Sequence, residues 1–94
     1  MRDVDGVARE AGRERLIGRS AFALAGVLHR LGRTDEAREL YLQSLGRADR
    51  RRSGFDLARV HDALAELDTA EGHLVEAEEH RTAARTLRRR NGLV

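Results

Sequence analysis

An all-α solenoid of antiparallel helical hairpins is the fold class this sequence predicts, and three observations carry it. Alanine (14 residues) and leucine (13) dominate, while the β-branched apolar set is six valines and one isoleucine, a balance that favours helix over sheet. Apolar residues recur at steps of three and four through four successive segments, the spacing that gathers them on one helical face. The chain also repeats itself at a shift of 40 residues, as stacked helical units do.

The elements follow in order. Residues 4–11 carry a short helical pattern with Gly12 as a stop, so 1–17 is expected to be a short N-terminal helix or half repeat. The next helix presents Ile17, Ala21, Leu24, Ala25, Leu28 and Leu31 on one face and ends at Gly32 in the C′ position. Thr34 is the expected N-cap of the second, with Asp35 and Glu36 against the positive end of its macrodipole. That helix carries Ala37, Leu40, Tyr41, Ser44, Leu45 and Ala48, fades through 49–52 and ends near Ser53 and Gly54. A third, from about Phe55, presents Leu57, Val60, His61, Leu64, Ala65 and Leu67 and closes at Gly72. The fourth runs from about Leu74 to Arg90 with Leu74, Ala77, Ala84 and Leu87 inward. Repeat one thus covers 18–53 and repeat two 54–94.

Composition narrows the function classes. The chain of 94 residues has no cysteine and no proline, and all 18 basic residues are arginine against 16 acids, a net charge of +2. Without cysteine there is neither a disulfide scaffold nor a thiolate metal site. No apolar run approaches about 18 residues, so no membrane span is expected, and the start of the chain lacks the apolar stretch of a signal peptide. The expected setting is the cytoplasm of a bacterium whose codon bias makes arginine the default cation.

The repeat sharpens the architecture. Shifted by 40 residues, Ala23-Leu24-Ala25 falls on Ala63-Leu64-Ala65, Gly32 on Gly72, Glu36-Ala37 on Glu76-Ala77 and Ile17 on Leu57. Such a unit cannot bury its apolar face alone and must stack on a neighbour. Repeat one supplies Leu24, Ala25, Gly32, Ala37, Tyr41 and Ser44, and repeat two supplies Leu64, Ala65, Gly72, Ala77 and Ala84. In this spacing the chain resembles the tetratricopeptide repeat family, in a longer-period bacterial variety, since the usual repeat is about 34 residues. It departs from the family pattern at Arg81, where an aromatic is usual, at Ala21 and His61, and at Asp49 and Arg89, where the closing proline would stand. Asp68, Glu71 and Arg81 replace Leu28, Leu31 and Tyr41 in repeat two, which suits the polar outer face of a terminal cap.

The resemblance implies non-catalytic recognition of a protein or peptide in the groove lined by the first helix of each hairpin. Arg19, Phe22, His29, Arg30, Arg59, Asp62 and Glu66 are the candidate groove residues. Phe22 is either the anchor of that groove or covered by the N-terminal segment. A second candidate is a basic ridge formed by Arg47, Arg50, Arg51 and Arg52 at one helix end and Arg85, Arg88, Arg89 and Arg90 at another. Arginine forks can meet phosphate or carboxylate bidentately, but cations also belong at helix C-termini for electrostatic reasons. A net charge of only +2, with no aromatics among the arginines, argues against nucleic acid. His29, His61, His73 and His80 lack metal-ligand spacing, and no phosphate loop or nucleophile elbow occurs, so no metal, cofactor or catalysis is expected. The rival function is a packing or sensing arm of a bacterial transcription regulator or signalling ATPase. Two repeats are fewer than the three usually needed for stability, so a homodimer or longer array is expected. Gly32→Val and Ala37→Leu are both expected to unfold the first hairpin by crowding its helix crossing.

Overall fold

The computed structural model describes residues 4–92, with side chains from residue 6. The outermost positions of the first and last predicted segments, 1–3 and 93–94, lie outside the described residues. Four helices account for nearly all of the described chain: α1 (Val4–Arg30), α2 (Thr34–Arg50), α3 (Gly54–Ala70) and α4 (Leu74–Arg90). Each packs on its neighbour in sequence, as short connections between helices require. The result is an all-α stack of two helical hairpins.

One local device shapes all three connections. At the end of α1 the Arg33 amide donates to the Leu28 carbonyl (2.9 Å) and the Gly32 amide to that of His29 (3.0 Å). This is the Schellman pattern. It recurs as Ser53 to Ala48 and Arg52 to Asp49, and as His73 to Asp68 and Gly72 to Thr69. The pivot residue has positive φ each time: Gly32 (80°), Arg52 (54°) and Gly72 (80°), with Gly92 (66°) after α4. These pivots stand 20 residues apart. The 40-residue sequence repeat is therefore two identical helix-plus-turn steps, α2, α3 and α4 each being 17 residues long.

Four local expectations are corrected. The separate N-terminal helix is absent: α1 is one helix of 27 residues that passes through Gly12. Its flanks from Ala8 to Arg15 are mostly good helix formers, and an interior glycine costs only about 1 kcal/mol. Thr34 is the first helical residue, not the cap; Arg33 holds the cap position without a side-chain cap bond, and its guanidinium pairs with Glu36 (2.8 Å). The connection is so short that Arg33 ends one helix and starts the next. Ser53 plays the same double role and does cap, accepting from the Asp56 amide at 3.3 Å. Finally, a Cβ on Gly32 would meet nothing within 4 Å. The penalty for valine there is the left-handed backbone, about 1–2 kcal/mol, and not crowding; at Ala37, fully buried, crowding stands.

The fourth correction concerns which apolar residues face inward. Ala25, Leu28, Ala37, Tyr41, Val60, Leu64 and Leu67 form the core, with Phe22, Leu40, Leu45 and Ala63 packed against it. Ala25 and Ala37 are fully buried, and Ser44 donates to the Gly18 carbonyl (2.9 Å) between α1 and α2. Ile17, Leu24 and Leu31 are exposed, as is Leu74 on α4. The first three lie on a side of α1 that no described helix covers, and Leu74 sits with Val75 on an open patch of α4.

Candidate functional site

The seam between α2 and α3 is closed at both ends by buried carboxylates. At one end Asp68, 2 % exposed, accepts from Arg38 Nη1 at 2.6 Å, and the same guanidinium bonds Glu71. Asp68 was expected on the polar outer face of a cap. It is instead an interior group, because α2 brings Arg38 to it from 30 residues away. At the other end Asp56 is buried beside Arg51 (3.0 Å) and Arg19 (3.8 Å). Sequence reasoning missed both ties. The one available hint was a charged residue at a position that is leucine in repeat one.

Between α1 and α3 the stack leaves an open cleft of ≈ 1010 Å³, counting the solvent at its mouth. Phe22 and Tyr41 meet edge to face on its floor, ring centroids 5.4 Å apart, a favoured aromatic geometry. Tyr41 reaches α1 beside Gly26, where even a Cβ would sit in ordinary contact, 3.7 Å from the phenol oxygen. Burial pushes the Tyr41 hydroxyl pKa up, and the Glu66 charge adds to the rise. Arg59 lies over Phe22, 4.7 Å from the ring centroid, a cation–π contact. Phe22 is thus half-buried under α3, not under the N-terminal segment. Arg30, Asp62 and Glu66 complete the rim, and Asp62 is held by Arg88 from α4. Five of the seven candidate groove residues line this cleft: Phe22, Arg30, Arg59, Asp62 and Glu66. Arg19 borders an adjoining recess near Asp56, and His29 lines neither space.

The arginine ridge is largely an ion-pair framework. Arg47 (2.6 Å) and Arg50 (3.9 Å) both reach Glu14, Arg51 reaches Asp56, Arg85 reaches Glu78 (3.1 Å) and Arg88 reaches Asp62. Arg52 and Arg90 border one crevice, so stacking does bring the two helix ends together. Arg52, Arg89 and Arg90 have no acidic partner among the described residues.

Histidine groups differently from its sequence spacing. His61 and His80 face each other across α3 and α4 with Nδ1 atoms 2.9 Å apart, and His80 Nε2 lies 3.6 Å from Asp68. Burial, and then the neighbouring His80, hold the His61 pKa below its ordinary 6.5. Asp68, Glu71 and His73 bring three potential ligand atoms within 4.8 Å. The Arg38 guanidinium already occupies both carboxylates of that cluster, which leaves a cation little negative charge to bind.

No family model, curated protein or solved structure matches this chain. The cleft and its residues therefore carry the functional argument. No helix among the described residues is long and apolar enough to cross a membrane.

Proposed function

We propose that the chain is a protein-recognition module of tetratricopeptide-like hairpins that takes a partner segment in the α1–α3 cleft without transforming it. The observation that supports this reading is the make-up of the cleft. Its floor is aromatic, with Phe22 and Tyr41, while Arg30 stands on the α1 side and Arg59, Glu66 and the Arg88-bound Asp62 on the α3 side. An aromatic floor between opposite charges suits a peptide with one bulky apolar side chain flanked by residues of both signs. The turn glycines 32 and 72, the buried pair Ala25 and Ala37, and Tyr41 support the family resemblance.

Affinity capture with the wild-type chain and with Phe22→Ala, Glu66→Ala and Arg89→Ala tests the proposal. A partner bound through the cleft is lost with the first two changes and retained with Arg89→Ala. Capture that ignores Phe22 and Glu66 but fails with Arg89→Ala would refute it in favour of the helix ends.

A further inference from the structure

The outer side of α1 carries a stripe of large apolar side chains that no described element covers. Leu16, Ile17, Leu24, Val27 and Leu31 are 39–67 % exposed. With Ser20 and Ala23 they fall within one arc of the helix, at steps of three and four. Val27 and Ala23 mark the border with the cleft; the rest of the arc faces away from α2.

The internal repeat shows what kind of surface this is. Shifted by 40 residues, Ser20, Leu24 and Val27 fall on Val60, Leu64 and Leu67, which are at most 2 % exposed. In the second hairpin the same face is buried under the first. The bare face of α1 thus has the pattern of a covered one.

Two copies of the chain could cover it in two ways, and charge decides between them. In a head-to-tail stack, α4 of one copy would cover α1 of the next as α2 covers α3. The covering face of α2 presents Arg38, Tyr41 and Leu45. The repeat-related residues of α4 are Glu78, Arg81 and Arg85, already paired with one another. Seating them on a leucine stripe would bury charge against apolar carbon. Antiparallel pairing of α1 with α1 has no such cost. About the midpoint of the stripe, Leu16 meets Leu31 of the second copy, Ser20 meets its Val27 and Ala23 its Leu24. A two-fold contact of this kind is self-complementary and closes as a dimer.

The stripe supplies most of the area such a contact needs. The exposed parts of the five large side chains amount to roughly 450 Å² per chain, so full coverage in two copies removes at most on the order of 900 Å², and flanking residues of α1 complete the ~1,000 Å² a specific interface needs. We infer that the chain forms a two-fold dimer through the outer face of α1, with Ala23 and Leu24 at its axis. This contact shares Ala23 and Val27 with the α1 border of the recognition cleft and does not depend on the cleft having a ligand.

Sedimentation of the full chain across the micromolar range tests the inference, with circular dichroism and a thermal melt on every variant. The wild type is expected to sediment as a dimer. Leu24→Glu should weaken self-association on the order of 100-fold, since it places two like charges at the axis. Val75→Glu, on the exposed patch of α4 formed with Leu74, should leave the dimer intact. If Leu24→Glu loses helicity, Leu31→Glu reads the same contact from the end of the stripe. Because the chain has no cysteine, Ala23→Cys should give a single disulfide-linked dimer on mild oxidation. A monomeric wild type, a Leu24→Glu or Leu31→Glu dimer as tight as the wild type, or dissociation by Val75→Glu would each overturn it.

Discussion

Replacing Arg38 by methionine removes the partner of a nearly dry carboxylate while keeping the length of the side-chain stem. Asp68 is 3 % exposed at its side chain, and Arg38 reaches it at 2.6 Å. The next cationic neighbours are His80 at 3.6 Å and His73 at 3.8 Å, which help only when protonated. Breaking a buried ion pair from one side costs about 3–5 kcal/mol, because the other charge stays behind without compensation. Arg38 itself is 27 % exposed, so water reaches the site and the lower figure, about 3 kcal/mol, applies. A domain of this length holds about 5–14 kcal/mol in total. The variant should therefore lose a large share of its stability and melt about 12–24 °C lower.

Urea unfolding followed by circular dichroism measures the loss directly. The companion variant is the double replacement Arg38→Met with Asp68→Leu, which restores the leucine that repeat one has at Leu28. An apolar pair of similar volume often equals a buried ion pair in stability, so the double variant should return to within about 1 kcal/mol of the wild type. A loss below about 1 kcal/mol in Arg38→Met would refute the seam as an energetic tie. A double variant as unstable as the single one would refute the assignment of that loss to an abandoned charge.

Further outcomes follow from the turns, the helix interiors and the histidine pair. Arg52 stands at positive φ where glycine stands at 32, 72 and 92, so Arg52→Gly should raise stability by about 1 kcal/mol; a lower melting temperature would contradict the left-handed turn. Gly46 lies inside α2 with open space at its Cβ, and Gly46→Ala should add about 0.5–1 kcal/mol, detectable as a shifted urea midpoint at constant slope. Because the folded-state pKa of His61 is depressed, the unfolded chain binds the extra proton. Its contribution is complete above pH 6.5 and declines as pH falls below that value. Melts recorded between pH 7.5 and 5.5 should steepen in that direction, and His61→Gln should flatten them; an unchanged pH slope in the variant would assign the effect elsewhere.

The signals that were legible in the sequence are the local ones. A glycine at the C′ position announces a Schellman turn, and Gly32 and Gly72 were readable as helix ends; Arg52, in the same conformation, was not, because its side chain carries no such signal. The cleft was readable to the extent that motif spacing carries Phe22, Arg59 and Glu66 to one groove. The Arg59 cation–π contact and the grip of Arg88 on Asp62 depend on rotamers and on helices distant in sequence.

Helical class and the 40-residue repeat are properties of residue order alone, so composition and periodicity determined them; the 20-residue step emerged only with the turn at Arg52. Burial is different, since it depends on what stands next to a helix. Leu24 and Leu64 occupy the same motif position, yet one is half exposed and the other is 1 % exposed, because among the described residues a hairpin packs over α3 and none over that side of α1. Asp68 reads as a surface acid until α2 supplies Arg38. Tertiary structure decided which leucines became core and which charge became interior. The physical reason is that desolvation and ion pairing are set by neighbours that the chain brings together only by folding.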